Sequence, residues 1–429
     1  MKLLLFLPRK IKSFFVSISV ATFLSVRQVK RTSKSTTLLI VAVMVLTFLN
    51  LIVIGGILVG LIEGSSLAYE KQYSGEILIT RLANKTSIEH SPEHITLIKS
   101  IPEVTALSAR YLETGTVEAN YRTKIKQTDA SNRINATFVG INPSNEDGVT
   151  RLSSLLIEGN YLNSDDPEGE VLVGSGLLAE YSSGAPSIQT LSDVSVGDKI
   201  RVTIGTVQKE VTVKGIIKSK IGTTGNRIYF TDSELRKLSG RVGYNVGEIA
   251  LRSNGSLDHD YLKSLVLLDE TITNDALVQT SVESQGQFFK DIGSTFNILG
   301  SVIGAIGISV ASITIFIVIF VNAVSRRRYI GIMKGLGIPA TTIEYSYIIQ
   351  SLFYATVGII IGLIILYGFL KPYFDIHPID FPFSDGILYA PISVVAIRSI
   401  ILLVVTVFAG YIPARMITKE NTLDAILGR

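Results

Sequence analysis

His90 and His94 stand four residues apart, the spacing at which two imidazoles on one helix face can hold a divalent metal. Ser91-Pro92 lies between them, no Glu follows His90 and no third ligand is evident, so no metal site is assigned. Gly174-Ser175-Gly176 lacks the Gly-x-Ser-x-Gly spacing of a nucleophile elbow and reads as a turn at a strand end. The chain contains no cysteine, which excludes disulfides, thiolate nucleophiles and cysteine-bound zinc or iron-sulfur centres. A phosphate-cradling Gly-x4-Gly-Lys-Ser/Thr loop occurs nowhere, so any ATP-driven work would draw on a partner. No catalytic, cofactor-binding or metal-ligating residue is therefore expected, and no nucleic-acid partner. The most specific local pattern lies elsewhere: Ser325-Arg326-Arg327-Arg328-Tyr329-Ile330-Gly331-Ile332-Met333-Lys334-Gly335-Leu336-Gly337-Ile338-Pro339. A positive-inside signal explains its arginines, but neither its regularly placed apolar residues nor its glycines.

The elements that must carry this loop are membrane spans. Apolar residues make up 47% of the chain and concentrate in residues 37–62, 292–325, 345–370 and 390–414, whereas 64–290 has the mixed composition of a domain with its own core. Between Lys34 and Glu63 lie 28 uncharged residues, about 42 Å of helix, and Ile292–Ser325 gives 34, about 50 Å, against a hydrocarbon core of about 30 Å. The expected fold is an α-helical membrane protein with four transmembrane helices arranged one plus three, and a large α+β extracytoplasmic domain between helices 1 and 2. The two overshooting helices would extend as a stalk.

Orientation follows from lysine and arginine near the span ends. Lys2, Arg9, Lys10, Lys12, Arg27, Lys30, Arg31 and Lys34 precede the first span without an acidic residue, and Arg326, Arg327, Arg328 and Lys334 fill the next inner loop, while the loop between the last two spans carries Lys371 with Asp375, Asp380 and Asp385. Both termini are expected in the cytoplasm, in a multi-pass protein of the cell membrane. The divisions are 1–34, a basic amphipathic segment; 35–63, helix 1; 64–290, the external domain; 291–325, helix 2 with its stalk; 326–343, the inner loop; 344–370, helix 3; 371–389, a short external loop; 390–414, helix 4; and 415–429, a tail. Pro8 and Arg9 end the apolar run of residues 3–7, so no cleavable signal is expected, and Ser13–Val26 reads as a helix in the inner interface. Arg398 is an intramembrane charge to be met by snorkelling or by another helix. Gly56 with Gly60, Gly300 with Gly304, and Gly358 with Gly362 form G-x3-G faces for close helix packing, the first two pairs being candidates for an interface between two copies.

In the domain, Glu76–Arg81 reads as a strand, Ser91-Pro92-Glu93 as a helix start with serine as cap, Gly169–Gly174 as a buried strand, and Lys199–Ile204 with Lys209–Ile217 as strands joined through Gly205-Thr206. Residues 125–133, 144–150 and 181–195 read as surface loops.

The 325–339 loop resembles the R/E-x-x-E-I-G-I-L-K-A-L-G motif of ABC transporter permeases of the MacB/FtsX type, with Tyr329 where Glu is usual and Gly335 where Ala is usual. Ala136–Ile141 with Glu158-Gly159, and Gly169–Ile217, are similar to a MacB-like external domain; Gly410-Tyr-Ile-Pro413-Ala414-Arg415 and Asp424-Ala425-Ile426-Leu427 resemble the family's closing motifs. The resemblance implies an FtsX-like membrane domain whose inner loop docks as a coupling helix on an ABC ATPase subunit. Ile330, Ile332, Met333 and Leu336 would be its apolar contacts, Arg327, Arg328 and Lys334 its polar rim, and Gly335 with Gly337 the turn back to the membrane. ATP and magnesium would belong to that ATPase, and further partners would be a second permease chain, identical or related, and an extracytoplasmic adaptor. The function implied is export or release of a lipoprotein, peptide, drug or lipid, driven by movement of the external domain. Two other classes fit the same architecture: a regulator of an extracytoplasmic cell-wall hydrolase, and a membrane-anchored binding or signalling protein without an ATPase.

Overall fold

The structure, a computed structural model, describes residues 9–122, 132–181, 189–241, 243–255, 257–381 and 384–419. The expected features at 3–7, at 424–427 and in parts of 125–133 and 181–195 lie outside the described residues. Two compact units are present, one of Met1–Ile62, Ile292–Ile379 and Gly386–Arg429, the other of Glu63–Asp291 and Asp380–Asp385. The chain begins with α1 (Arg9–Arg31) and α2 (Lys34–Tyr69), separated by Thr32-Ser33. Helix α1 is longer than the expected interfacial segment and packs on a later helix, burying Ala21, Ser25 and Gln28 while Val16, Val20 and Phe23 stay exposed.

The second unit is built on β1 (Ile77–Arg81), α3 (Ser91–Lys99), β2 (Val104–Glu118), β3 (Arg133–Ile141), α4 (Pro143–Thr150), β4 (Leu156–Gly159), β5 (Glu170–Gly174), β6 (Lys199–Ile204), β7 (Val207–Ile217), β8 (Arg227–Thr231), α5 (Asp232–Ser239), β9 (Glu248–Ser253), α6 (His259–Val266) and β10 (Ala276–Thr280). The strands join in the order β10-β1-β9-β2-β3-β8-β5-β7-β4, with β6 paired to β2 and β7. The 15-residue β2 belongs to two halves of this sheet. Its first part, Val104–Arg110, pairs antiparallel with β9, and its second, Tyr111–Glu118, with β3. Each half has its own core, one around Ile77, Ile79, Leu107, Ile249 and Leu262, the other around Phe138, Val171, Val213, Ile228 and Phe230.

Turn chemistry explains where the strands end. Gly205 (φ 58°) sits in the β6–β7 turn and Gly197 (φ 93°) in the turn before β6, left-handed conformations that cost glycine nothing. Two expectations fail locally. Residues 144–150 are helix rather than loop, because the Asn142 side chain accepts a hydrogen bond from the Asn145 amide at 3.1 Å and Pro143 occupies the first turn. Ser91 does not cap α3: its hydroxyl accepts from the Val246 amide at 3.0 Å, and His90 (φ 51°) holds the cap position.

The long helices after the sheet domain, with the short one between the first two, are α7 (Gln287–Ser325), α8 (Arg327–Gly335), α9 (Ala340–Ile365) and α10 (Ile392–Thr418). Among the described residues four helices, those containing α2, α7, α9 and α10, are long and apolar enough to cross a membrane. Their shared core includes Met44, Phe48, Ile315, Ile319, Ile359 and Leu402. Helices α2 and α7 have 36 and 39 residues, about 54 and 58 Å, and α9 and α10 have 26 and 27, about 40 Å each.

Candidate functional site

Helix α8 follows α7 after a single residue, Arg326, and ends in a turn fully specified by backbone hydrogen bonds. The Ile338 amide donates to the Met333 carbonyl at 3.1 Å and the Gly337 amide to the Lys334 carbonyl at 3.0 Å, with Gly337 left-handed at φ 87°. This is a Schellman motif, closed by contact of Ile338 and Met333 with the same apolar core. Pro339 then starts α9, its carbonyl accepting from Thr342 at 3.0 Å. Of the two expected turn glycines, Gly337 makes the turn; Gly335 is the last helical residue, with open space where a Cβ would stand.

The four apolar residues of α8 and its C-cap do not share a face. Ile330 is buried and Met333 half-buried in the helical core, whereas Ile332 is 42% and Leu336 78% exposed. Residues 330 and 332 are separated by about 200° around a helix, so one inward side chain turns the other outward. The exposed stripe is Arg328, Tyr329, Ile332 and Leu336, spaced by three and four, and the inward face holds Arg327, Ile330, Gly331 and Lys334. Lys334 Nζ donates to the Thr418 carbonyl at 2.9 Å, in the last turn of α10 where a cation suits the helix end. Arg326 Nη2 donates to Thr32 Oγ1 at 3.2 Å, fastening the start of α8 to the α1–α2 junction. Beside the stripe, a groove of about 560 Å³ runs between Val16 and Val20 of α1 and the Leu336–Pro339 turn.

The glycine pairs differ in what they meet. A Cβ at Gly358 would reach Met44 on α2 at 2.5 Å, and one at Gly362 would strike Phe48, so this pair seats α9 against α2. Gly56 and Gly60 face the backbone of residues 387–389, with the Tyr389 amide donating to the Gly56 carbonyl at 3.1 Å. Gly300 and Gly304 touch only Leu58 and Leu51 of α2, at 3.9 and 3.6 Å from an ideal Cβ. Arg398 is half-buried and donates from Nη1 to the Leu51 carbonyl at 2.9 Å, lying over Gly55. Gly55 escaped the sequence reading because its partner is a single arginine and not a small-residue face.

In the sheet domain a buried ionic cluster joins the two halves. Arg110 forms a bidentate pair with Glu146 (2.9 and 2.8 Å) and reaches Glu248 at 3.3 Å, while Arg227 binds Glu248 through 3.0 and 2.7 Å contacts. Tyr73 donates to Glu248 at 2.9 Å, its carbonyl accepts from Arg110 at 2.6 Å, and both guanidinium groups lie about 5 Å from its ring. Burial pushes the Glu248 carboxyl up, but the Arg227 charge, its hydrogen bonds and Arg110 reverse this and bring it to about 2. Glu146 is likewise held low, burial being outweighed by Arg110, and both arginines are raised by their carboxylates against the cost of burial. Sequence reasoning missed this cluster entirely.

The two histidines are taken up by carboxylates. His94 lies within 2.7 Å of Asp269 and 3.1 Å of Asp275, and His90 within 3.0 Å of Asp275. The hydrogen bond to Asp275 raises the pKa of exposed His90.

Residues 301–422, which include α8, α9, α10 and most of α7, match the family described as FtsX-like permease C-terminal. The ABC transporter permease YtrF of Bacillus subtilis is 26% identical over 214 residues, 47% of this chain and 48% of YtrF. The macrolide export ATP-binding/permease protein MacB of Agrobacterium fabrum is 23% identical over 158 residues, 37% of this chain and 22% of MacB. The chain thus spans about half the length of the first relative and about a fifth of the second. Among solved structures, the periplasmic region of MacB from Actinobacillus actinomycetemcomitans is 12% identical with a TM-score of 0.32, covering 49% of this chain and 90% of that region.

Proposed function

We propose that the chain is an ABC transporter permease of the MacB/FtsX type and that α8 is the docking element for a separate ABC ATPase subunit. The observation that carries this reading is the division of α8 into two faces. Ile330, Met333 and Lys334 bind it to the neighbouring helices, so a force applied to it passes into α7 and α10, while Tyr329, Ile332 and Leu336 leave an apolar stripe open with Arg328 beside it. A short amphipathic helix offers the i, i+3, i+4 anchors that a groove on a partner takes. The ATP and magnesium belong to that partner, and the permease chain itself performs no hydrolysis.

The working unit is two permease chains, identical or related, with two ATPase subunits in the cell membrane. Closure of the ATPases moves α8, and α2 and α7, each longer than a bilayer core is thick, carry the movement to a domain on the extracytoplasmic side. Work on a lipoprotein, peptide, drug or lipid, with an external adaptor where the envelope requires one, follows from that movement. Affinity purification of the full chain in mild detergent tests the docking step. The natural sequence should bring down an ABC ATPase, and Ile332→Asp with Leu336→Asp should lose it. Retained ATPase in the double variant would sink the docking assignment, and no ATPase with the natural sequence would sink the coupling itself.

A further inference from the structure

We infer that a cavity between α1, α8 and α9 binds the phosphate of an anionic phospholipid. The cavity, about 370 Å³, has three arginines in its wall, Arg27 and Arg31 from α1 and Arg326 at the start of α8, and no carboxylate among the described residues lines it. Among the described residues none of the three lies in an ion pair; Arg27 only approaches the Phe23 ring at 6.0 Å, and Arg326 spends one nitrogen on Thr32. Guanidinium forks in this number, facing a common space without a counter-charge, are suited to a phosphate, which they can bind in bidentate fashion.

Two buried polar groups of the same wall also lack partners among the described residues: Tyr347 is 1% exposed and its hydroxyl has no hydrogen bond there, and Gln28 is 9% exposed and its amide oxygen has none. A buried polar group left unpaired is destabilising, so an incoming ligand that satisfies both gains what the protein alone forgoes. The Tyr347 hydroxyl donates to a phosphate oxygen, and the Gln28 oxygen accepts from a head-group hydroxyl, the pairing that a phosphatidylglycerol head offers. Leu24, Ile330 and Met333 supply an apolar wall on which the upper acyl segments lie. Basic pockets between membrane helices recognise anionic lipid heads by this combination of charge and apolar contact. The site ties α1 to Ile330 and Met333, the residues that hold α8 from within. This inference requires a membrane and these residues only; it stands or falls without any ATPase.

The test uses the full chain in detergent, native mass spectrometry and phosphatidylglycerol, with phosphatidylcholine and inorganic phosphate as the comparison probes. Phosphatidylglycerol should stay bound to the natural sequence at stoichiometry near one, and phosphatidylcholine should not. Tyr347→Phe removes a hydroxyl that no described protein group uses, so the fold should be little affected; retention should fall at least about tenfold, the worth of one hydrogen bond to a charged group. Arg27→Gln with Arg31→Gln should remove retention altogether at unchanged helical content. Equal retention of both lipids, or unchanged retention in both variants, overturns the proposal. Displacement of phosphatidylglycerol by millimolar inorganic phosphate that itself binds as tightly would assign the cavity to a free anion and overturn the lipid.

Discussion

Arg110, Glu146, Arg227 and Glu248 place two cations and two anions in the interior where the halves of the sheet meet, with Tyr73 between them. Such a cluster is not a large net stabiliser, but removing one member strands a charge, at about 3–5 kcal/mol. Arg227→Met should therefore cost several kcal/mol, read as at least a hundredfold faster amide exchange in β8 and β9, whereas Lys85→Ala, in an exposed i, i+4 pair with Glu89, should cost under about 0.5 kcal/mol. A loss below 1 kcal/mol for Arg227→Met would remove the cluster from this role. The pH dependence has a fixed sign. Glu248 titrates at about 2 in the fold and ordinarily at 4.5, so its contribution is whole above about 4.5 and disappears as pH falls towards 2. His90 works oppositely: its raised pKa makes its tie to Asp275 complete below its ordinary 6.5 and lost as pH rises past its higher folded value. Tyrosine circular dichroism during thermal unfolding of the full chain should show a midpoint that falls on acidification below pH 4.5. A flat profile down to pH 2 would contradict the Glu248 assignment. None of this was legible in the sequence, because the four charged residues come from four separate segments and no local pattern links them. Asn142-Pro143 did announce the helix that carries Glu146, and the polar run after it hid that signal.

At the scale of elements, the two glycines that end α8 make opposite predictions. Gly337 sits at φ 87°, where a Cβ costs about 1–2 kcal/mol, so Gly337→Ala should loosen the turn and expose the Ile338 amide to exchange. Gly335 is helical with open space around it, so Gly335→Ala should instead gain up to about 1 kcal/mol and slow exchange in the last turn of α8. The same sign for both would mean that the Schellman turn does not govern this end. The four long helices could be read from sequence because a run of apolar residues needs no neighbour to declare itself. The faces of α8 could not, since Ile330 and Ile332 are equally apolar and only packing against the helical core decides which turns inward. The same limit applied to Arg398: its charge was visible, its acceptor on Leu51 and its seat over Gly55 were not. The pair Gly358 and Gly362 forms a G-x3-G pattern, a packing pattern in itself, and a Cβ at either would strike Met44 or Phe48 of α2.

For the molecule as a whole, the lever reading depends on which side of the membrane each segment occupies. The basic residues before α2 and around α8 argue that these lie on the same side, in the cytoplasm, and the acidic loop between α9 and α10 that it lies opposite. Two long helices would then both cross the bilayer, and their 36 and 39 residues exceed by roughly 15 to 20 the number a bilayer core requires. A lever needs such surplus length, because a helix that ends at the interface transmits nothing beyond it. The chain has no cysteine, so single cysteines report directly. Ser264 near the end of α6 is exposed and suits the purpose, as does exposed Ser325 at the end of α7. In intact cells an impermeant maleimide should label Ser264→Cys at once and Ser325→Cys only after permeabilisation. Labelling of Ser325→Cys from outside would put α8 on the wrong side for any cytoplasmic ATPase, and the lever would have no input. Labelling of neither until permeabilisation would place the sheet domain in the cytoplasm and make the surplus length of α2 and α7 serve something other than transmission across the membrane.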